Sequence, residues 1–346
     1  MISIIIPVKQ INDYIYESIT HFLNMDYADY EVIVYPDYIE NKNINNTDFS
    51  LELINTFDND LREYRLCLDS RFRFIETGEL TPGEKRDLAL LHANGEYFAF
   101  IDDDAYPSKN WLISALNILK DETIGGVGGP AITAPSEDIF KVASGKVYES
   151  YVCCGGLKQR YVPGIKKDTD DIPSVNLIIK KDVFEKVGGY SSKFYPGEDT
   201  KLCLAIINSG KRLVYDPNTL VYHHRRPLFA KHLKQIKNYA LHRGYFVRLY
   251  PQTSFKLIYF IPSLFVIGLI TGPIICMTIL NLWSLYFGVI ILYLLLAIHS
   301  LRSCLHRKED IIYKISLLVL SLLGIFTTHI VYGVYFVKGL AKGVTK

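Results

Sequence analysis

The chain has 346 residues, 49% of them hydrophobic and 21% charged, with a formal net charge of +2. This share of apolar and aromatic side chains excludes an intrinsically disordered chain, a collagen-like chain and a small disulfide-stapled domain. The near-neutral total conceals two opposite regions: residues 1–216 carry 34 acids against 23 Lys and Arg, a balance of −11, whereas residues 217–346 carry two acids against 15, a balance of +13. Length allows about two domains. Six Cys, at 67, 153, 154, 203, 276 and 304, show no CxxC spacing and point to neither a zinc site nor a disulfide framework. The adjacent Cys153 and Cys154 read as small buried hydrophobes. The opening MISIIIPVK lacks the basic start and long apolar run of a secretory signal, so the first region is expected to stay in the cytoplasm.

Taken from the N-terminus, Ser3 to Val8 is an unbroken apolar run that reads as a buried parallel strand. A helix is expected over 13–23, then a second strand from Glu31 to Tyr35 closing at Pro36-Asp37. Residues 38–50 are Asn-rich and read as a loop, in which Asn45-Asn46-Thr47 is a glycosylation sequon with no role in the cytoplasm. A helix near 50–66, a third strand from Arg71 to Glu76, a helix from Pro82 to Ala93 and a fourth strand from Tyr97 to Ile101 follow. Strands alternating with helices at this spacing predict an α/β fold with a Rossmann-like, doubly wound, mainly parallel sheet, whose ligands gather beyond the carboxyl ends of its strands.

Asp102-Asp103-Asp104 follows the fourth strand directly, and three adjacent acids call for a positive partner. Asp102 and Asp104, two apart, can aim oxygens at a hard cation such as Mg²⁺ or Mn²⁺, which in turn holds a diphosphate. Taken alone, the same run serves equally well as a solvated turn or helix cap. A second acidic site, Pro196-Gly197-Glu198-Asp199, precedes a helix expected from Thr200 to Asn208. Acids there either cap the helix or supply a base that takes a proton from an attacking hydroxyl. Trp111, at the start of a helix over 108–120, reads as a core aromatic ahead of a sugar-stacking one. His223-His224 ends a strand from Leu220 to Tyr222 and is open to three readings: a structural histidine, a phosphate contact or a metal ligand.

Residues 225–256 contain eight Lys or Arg, several aromatics and no acid, which suits helices lying on anionic headgroups or an ordinary basic helix packed on protein. Nucleic acid would attract the same residues, but the apolar spans that follow argue against it. Leu257 to Leu280 is uncharged over 24 residues, enough to cross a bilayer, with Pro262 and Pro273 predicted to kink or break it. A second span runs over 282–301 and a third over 311–337, with Lys314 near one end. Arg302, His306, Arg307 and Lys308 between them place that loop in the cytoplasm. Three crossings put the C-terminus outside, whereas Lys338, Lys342 and Lys346 argue for the inside, and the side of the tail stays open.

The segments IIIPV, GEKRDLALLHANGEYFAFIDDDAYPSKNWL, VNLIIKKDVFEKVGGY and GEDTKLCLAIINSGKRLVYDP, in this order and spacing, resemble family-two glycosyltransferases of the GT-A fold over about residues 1–225. HHRRPLFAKHLKQIKNYALHRG before hydrophobic spans is similar to the membrane-anchored branch acting on exopolysaccharides or lipid-linked glycans. The resemblance implies an inverting enzyme that uses a nucleotide-diphospho-sugar. Asp102 and Asp104 then hold Mg²⁺ or Mn²⁺ and the donor diphosphate, while a metal-ligand role for His223 stays one of its three readings. Asp103 lies near the ribose or sugar, and Pro7, Asp37, Arg86 and Asp87 belong to the donor side. Asp37 binds the base although Pro36 replaces the usual preceding acid, and Asp87 stands where many relatives carry Asn. Asp199 is the catalytic base and Glu198 its neighbour. Gln235 and Arg243 fall in a segment similar to the interface helix of polysaccharide-forming relatives, although the Gln-x-x-Arg-Trp pattern is absent, and contact a diphosphate or a lipid phosphate or, equally well, a membrane headgroup.

These readings divide the chain into a cytoplasmic catalytic domain (1–224), a basic interfacial segment (225–256) and a membrane domain (257–346). The expected activity is transfer of a sugar to a polyprenyl-linked or other membrane-bound glycan, with membrane lipids and no nucleic acid as partners. A sugar nucleotidyltransferase would also use a doubly wound sheet and an acid pair, but a Gly-rich phosphate loop is missing after the first strand. An inactive membrane assembly subunit is the non-enzymatic alternative.

Overall fold

β1 (Ile2–Pro7) is buried at every position because it has a parallel neighbour on each side, β2 (Tyr30–Tyr35) and the later strand Tyr97–Phe100. A strand so placed must be apolar on both faces, which is why its sequence does not alternate. The computed structural model describes residues 1–40, 49–56, 61–192 and 194–342; the Asn45-Asn46-Thr47 sequon and Lys346 lie outside the described residues. Between β1 and β2 runs α1 (Asp13–Leu23), capped by Asn12, whose side-chain oxygen accepts the amides of Tyr14 and Ile15. It turns Ile15, Ile19 and Phe22 onto the sheet.

The helix expected near 50–66 is replaced by two strands. β3 (Leu51–Thr56) and β4 (Arg62–Leu66) form an antiparallel pair at the sheet edge, and β4 pairs with β5 (Phe72–Ile75). The period of two carried by buried Tyr64 and Leu66 around exposed Arg65 decides for strand. α2 (Pro82–Asp87) opens with a capping box in which Thr81 and Glu84 satisfy each other's backbone amides. After α3 (Ala89–His92) come β6 (Tyr97–Phe100), β7 (Ala105–Pro107), α4 (Trp111–Leu119), β8 (Ile124–Gly128) and β9 (Ala131–Thr133).

Here the chain leaves the first compact unit, which consists of residues 1–132 and 163–223; residues 133–162 belong with 224–346 in a second unit. The boundary expected at 224 therefore has an excursion inserted ahead of it. The first unit resumes with β10 (Lys167–Thr169) and β11 (Leu177–Lys180), followed by α5 (Lys181–Lys186) and α6 (Glu198–Asn208). It closes with β12 (Arg212–Tyr215) and β13 (Val221–His223). The ten-stranded sheet has the order β10-β12-β8-β11-β6-β1-β2-β5-β4-β3, parallel through β6, β1, β2 and β5 and again between β8 and β12, with antiparallel β11 inserted. The registers Pro7↔Tyr35 and Ile5↔Phe100 bring the carboxyl ends of β1, β2 and β6 to one edge. β13 pairs antiparallel with β7, setting His223 opposite Ala105 beside that edge.

The second unit contains α7 (Ile139–Glu149), α8 (Ala230–Leu249), α9 (Leu257–Thr278), α10 (Trp283–Ser300) and α11 (Ile311–Lys342). Its last three helices are long and apolar enough to cross a membrane. Of the kink or break expected at Pro262 and Pro273, the break does not occur: α9 is one continuous helix. The basic helix α8 buries one face, made of His232, Ile236, Ala240, Gly244, Phe246 and Val247. Gly244 faces the carbonyl of Phe336 and Gly339 that of Leu241, so closely that a Cβ on either would collide with backbone.

Candidate active site

The carboxyl edge of the central strands collects the acids that the sequence marked. Asp102 lies just past β6 and accepts a 2.6 Å hydrogen bond from Nη2 of Arg86; Nη1 of the same guanidinium donates to Glu198 Oε1 at 3.4 Å. Arg86 is 3% exposed and lies 5.5 Å from the centre of the Tyr190 ring. One buried cation thus joins the acidic run after β6 to the acidic pair at α6, which are far apart in sequence. Arginine suits the position because its planar fork reaches two carboxylates in different directions.

Asp37, past the end of β2, is held by Lys85, whose ammonium also donates to the carbonyls of Val8 at 2.7 Å and Tyr35 at 3.1 Å. Lys85 is 2% exposed, and burial pulls its pKa down while Asp37 opposes that shift. A single α2 side chain therefore ties together the ends of β1 and β2 and orients Asp37. Pro7 supplies the last residue of β1 at this edge.

Asp103 accepts from the Asn12 side chain at 2.8 Å. Burial and the neighbouring charge of Asp104 raise its pKa to about 7, and the Asn12 hydrogen bond works against them. Asp104 Oδ1 lies 3.0 Å from His223 Nε2. Asp87 turns elsewhere: its two oxygens accept the amides of Tyr190 and Ser191, at 2.7 and 2.9 Å. It fixes the turn that leads toward the second acidic site.

Glu198 and Asp199 occupy the first turn of α6, so that the helix starts ahead of the expected Thr200. Gly197 before them has φ +116°, a conformation that glycine adopts at little cost. Glu198 goes inward, buried, and its Oε2 has no hydrogen-bond partner. Burial, then the charge of Asp199, push its pKa to about 7, with Arg86 pulling the other way. Asp199 remains half-buried, and its Oδ1 accepts the Thr200 amide at 2.9 Å. The pair divides accordingly into an inward acid that holds Arg86 and an accessible one.

The raised pKa of Glu198 has a stability consequence. The folded state retains a proton that the unfolded chain releases between about 4.5 and 7, so this residue's contribution to stability is present at low pH and falls as pH rises through that window. Glu198→Gln is expected to flatten that part of the dependence of the thermal midpoint on pH, measured by loss of tertiary circular dichroism in detergent. An unchanged slope would contradict the assignment.

The residues fit a divalent cation through the chemistry of one pair. Asp104 Oδ1 and His223 Nε2, 3.0 Å apart, form a mixed oxygen and nitrogen pair whose chemistry suits Mn²⁺. Asp102 instead has an oxygen on Arg86. Among the described residues no group of three His, Cys, Asp or Glu converges, so donor phosphates and water would have to complete the shell.

Trp111 is fully buried and donates to Asn176 Oδ1 at 2.8 Å, a core position. Gln235 and Arg243 belong to the second unit. Gln235 accepts from Tyr148 at 3.2 Å, while Arg243 donates to Ser254 at 3.3 Å and lies 4.8 Å from the centre of the Tyr259 ring. Sequence reasoning overlooked Lys85 and Asn12. Lys85 adjoins Arg86 in the GEKRD segment, but nothing local in the sequence marks it as buried.

The profile of the family described as "Glycosyl transferase family 2" matches residues 3–188. A pre-mycofactocin glycosyltransferase of Mycobacterium tuberculosis is 32% identical over 146 residues, which cover 42% of this chain and 30% of that protein. The chain thus spans less than a third of that relative's length. A Methanococcus voltae protein named dolichyl N-acetyl-alpha-D-glucosaminyl phosphate 3-beta-D-2,3-diacetamido-2,3-dideoxy-beta-D-glucuronosyltransferase is 24% identical over 99% of this chain and 98% of its own. Among solved structures, the mannosyltransferase PcManGT of Pyrobaculum calidifontis, in complex with GDP-Man and Mn²⁺, superposes with a TM-score of 0.53 at 16% identity, covering 99% of this chain and 86% of that one. That likeness shows the GT-A fold.

Proposed function

We propose that this chain, which belongs to glycosyl transferase family 2, moves a sugar from a nucleotide-diphospho-sugar to a hydroxyl of a membrane-bound acceptor, a polyprenyl-linked saccharide, with inversion at the anomeric carbon. The observation that carries the reading is the linkage of the two acidic sites through Arg86, with Asp199 left accessible beside it. Asp37, oriented by Lys85, binds the base, and Asp103 meets the ribose or sugar. Asp199 accepts the proton of the acceptor hydroxyl as its oxygen attacks the anomeric carbon and the nucleoside diphosphate departs. Glu198 holds Arg86 in place. Asp104 and His223 would hold Mn²⁺ or Mg²⁺, which supplies charge neutralisation for the leaving diphosphate.

The lipid-linked acceptor is supported by the membrane-length helices of the second unit and by the end-to-end likeness to the M. voltae protein, whose name specifies a dolichyl phosphate carrier. A water-soluble donor and a lipid-borne acceptor meet at a membrane surface, and the basic loop at 302–308 supports the cytoplasmic one. A screen of nucleotide-sugars against protein in lipid extract, read as release of nucleoside diphosphate dependent on the lipid fraction, tests the proposal. Release that ignores added lipid would remove the acceptor assignment.

The metal assignment has its own test. Asp104→Ala and His223→Ala are each expected to weaken Mn²⁺ binding in the presence of donor by at least tenfold and to abolish transfer, while Asp102→Ala retains more of the binding. If Mn²⁺ titration by calorimetry ranked Asp102 above both of the others, Asp104 and His223 would not be the holding pair.

A further inference from the structure

α9, α10 and α11 each have the length and apolarity of a membrane span, but they do not pack as three successive crossings. In such a chain the first and third helices run in the same direction. α11 runs opposite to α9: the Phe336 ring lies 5.0 Å from Phe260, the Gly333 carbonyl accepts from Ser263 at 2.9 Å, and Phe326 lies 6.2 Å from Phe265. It also runs opposite to α10 and the turn that follows it, with His329 bonded to Tyr293 of α10 at 3.0 Å and Ser321 beside Cys304 just past the end of α10. α9 and α10 themselves form an antiparallel hairpin, Phe265 on Tyr293 and Gly272 against Tyr286. Three helices cannot all be mutually antiparallel along one axis. The contacts are satisfied when α11 lies across the base of the hairpin, from the end of α10 to the start of α9.

The remaining partners of α11 agree. Gly324 packs on Val147 of α7, Thr328 bonds His232 of α8 at 2.9 Å, and Phe336 and Gly339 meet Gly244 and Leu241 of α8. α7 and α8 both precede the first membrane-length helix along the chain, so the two belong to one face of the bilayer. From Gly324 to Gly339 a helix advances roughly 22 Å. A helix descending through a hydrocarbon core of about 30 Å could not keep that whole length beside elements of one surface. Charge points the same way, because Arg302, His306, Arg307 and Lys308 precede α11 while Lys338 and Lys342 end it, and both basic groups favour the cytoplasmic side.

The face of α11 turned away from these partners carries Ile312, Ile315, Val319 and Leu323, each between 48% and 75% exposed. Their spacing of three and four defines one stripe. We infer that α11 lies in the plane of the membrane surface with this stripe among the acyl chains of the cytoplasmic leaflet, and that the chain crosses only twice, through α9 and α10. The stripe continues the lipid-facing surface of the hairpin at its base. The inference rests on the membrane-bound reading, since without a bilayer the stripe has no such partner.

The test uses the full chain with small epitope tags at the N-terminus, after Asn281 and at the C-terminus, in sealed vesicles of known orientation treated with protease. The expected result is that the N- and C-terminal tags are removed from the same face and the Asn281 tag only from the other. A C-terminal tag cleaved from the face opposite the N-terminal one would establish a third crossing and overturn the inference. All three tags on one face, with protein released by alkaline carbonate, would instead remove the membrane-bound reading and the inference with it. If the Asn281 insertion disturbs the hairpin, the two terminal tags decide by themselves, because an even number of crossings puts them on one face and an odd number on opposite faces.

Discussion

Asp199→Asn is expected to slow sugar transfer by about 10²–10⁴-fold, the usual contribution of a positioned general base, while donor and metal binding stay near their original values. The replacement keeps size and shape, and the amide oxygen of Asn can still accept the Thr200 hydrogen bond that Asp199 makes in the first turn of α6. What it cannot do is take a proton. Glu198→Gln should act differently, because Glu198 is buried and faces Arg86, so its loss alters the position of Arg86 and Asp102 ahead of the proton transfer itself. Transfer rates at saturating donor, paired with calorimetric donor titration, separate the two. Loss of donor binding in Asp199→Asn, or a larger rate defect in Glu198→Gln, would reverse the roles of the two acids.

Arg86→Met is expected to destabilise the first unit strongly. Removing one member of a buried ion pair leaves the other charge uncompensated, at a typical cost of about 3–5 kcal/mol. Glu198 rather than Asp102 sets that cost, since the Asp102 side chain is 34% exposed and water screens its share. The cost is largest above about pH 7, where Glu198 cannot escape it by keeping its proton. Arg86→Lys should recover only part, because one ammonium cannot point at Asp102 and Glu198 together. The decisive measurement is a cycle of urea midpoints. Adding Glu198→Gln to Arg86→Met should restore a substantial fraction of the loss, and strictly additive effects would mean that the two do not depend on each other.

The sequence was most legible where burial leaves a simple mark. β1, β2 and β6 are apolar on both faces, and the acids after them stand out because they interrupt such runs. The β3–β4 pair was misread as a helix because an edge strand exposed along most of its length carries little pattern, and the signal lay in Tyr64 and Leu66 alone. Lys85 and Asn12 were invisible for another reason. Each acts on a residue distant in sequence, Lys85 on Asp37 and Asn12 on Asp103, and nothing local distinguishes a buried lysine from a solvated one. The excursion of residues 133–162 into the second unit was hidden likewise, since its partners are encoded far downstream.

That separation bears on how the chain is made. The glycine contacts between α8 and α11 join residues about ninety positions apart, Gly244 with Phe336, and Val147 meets Gly324 across an even longer interval. At a synthesis rate of roughly 5–20 residues per second, the inner face of α8 waits several seconds for its partner, and α7 waits longer. The first unit has all of its strands by His223 and can be complete before α11 exists. Assembly of the second unit is thus a late event governed by release of the C-terminus, and a chain that stops before Phe336 leaves the ribosome with a folded first unit and an apolar surface that nothing can cover.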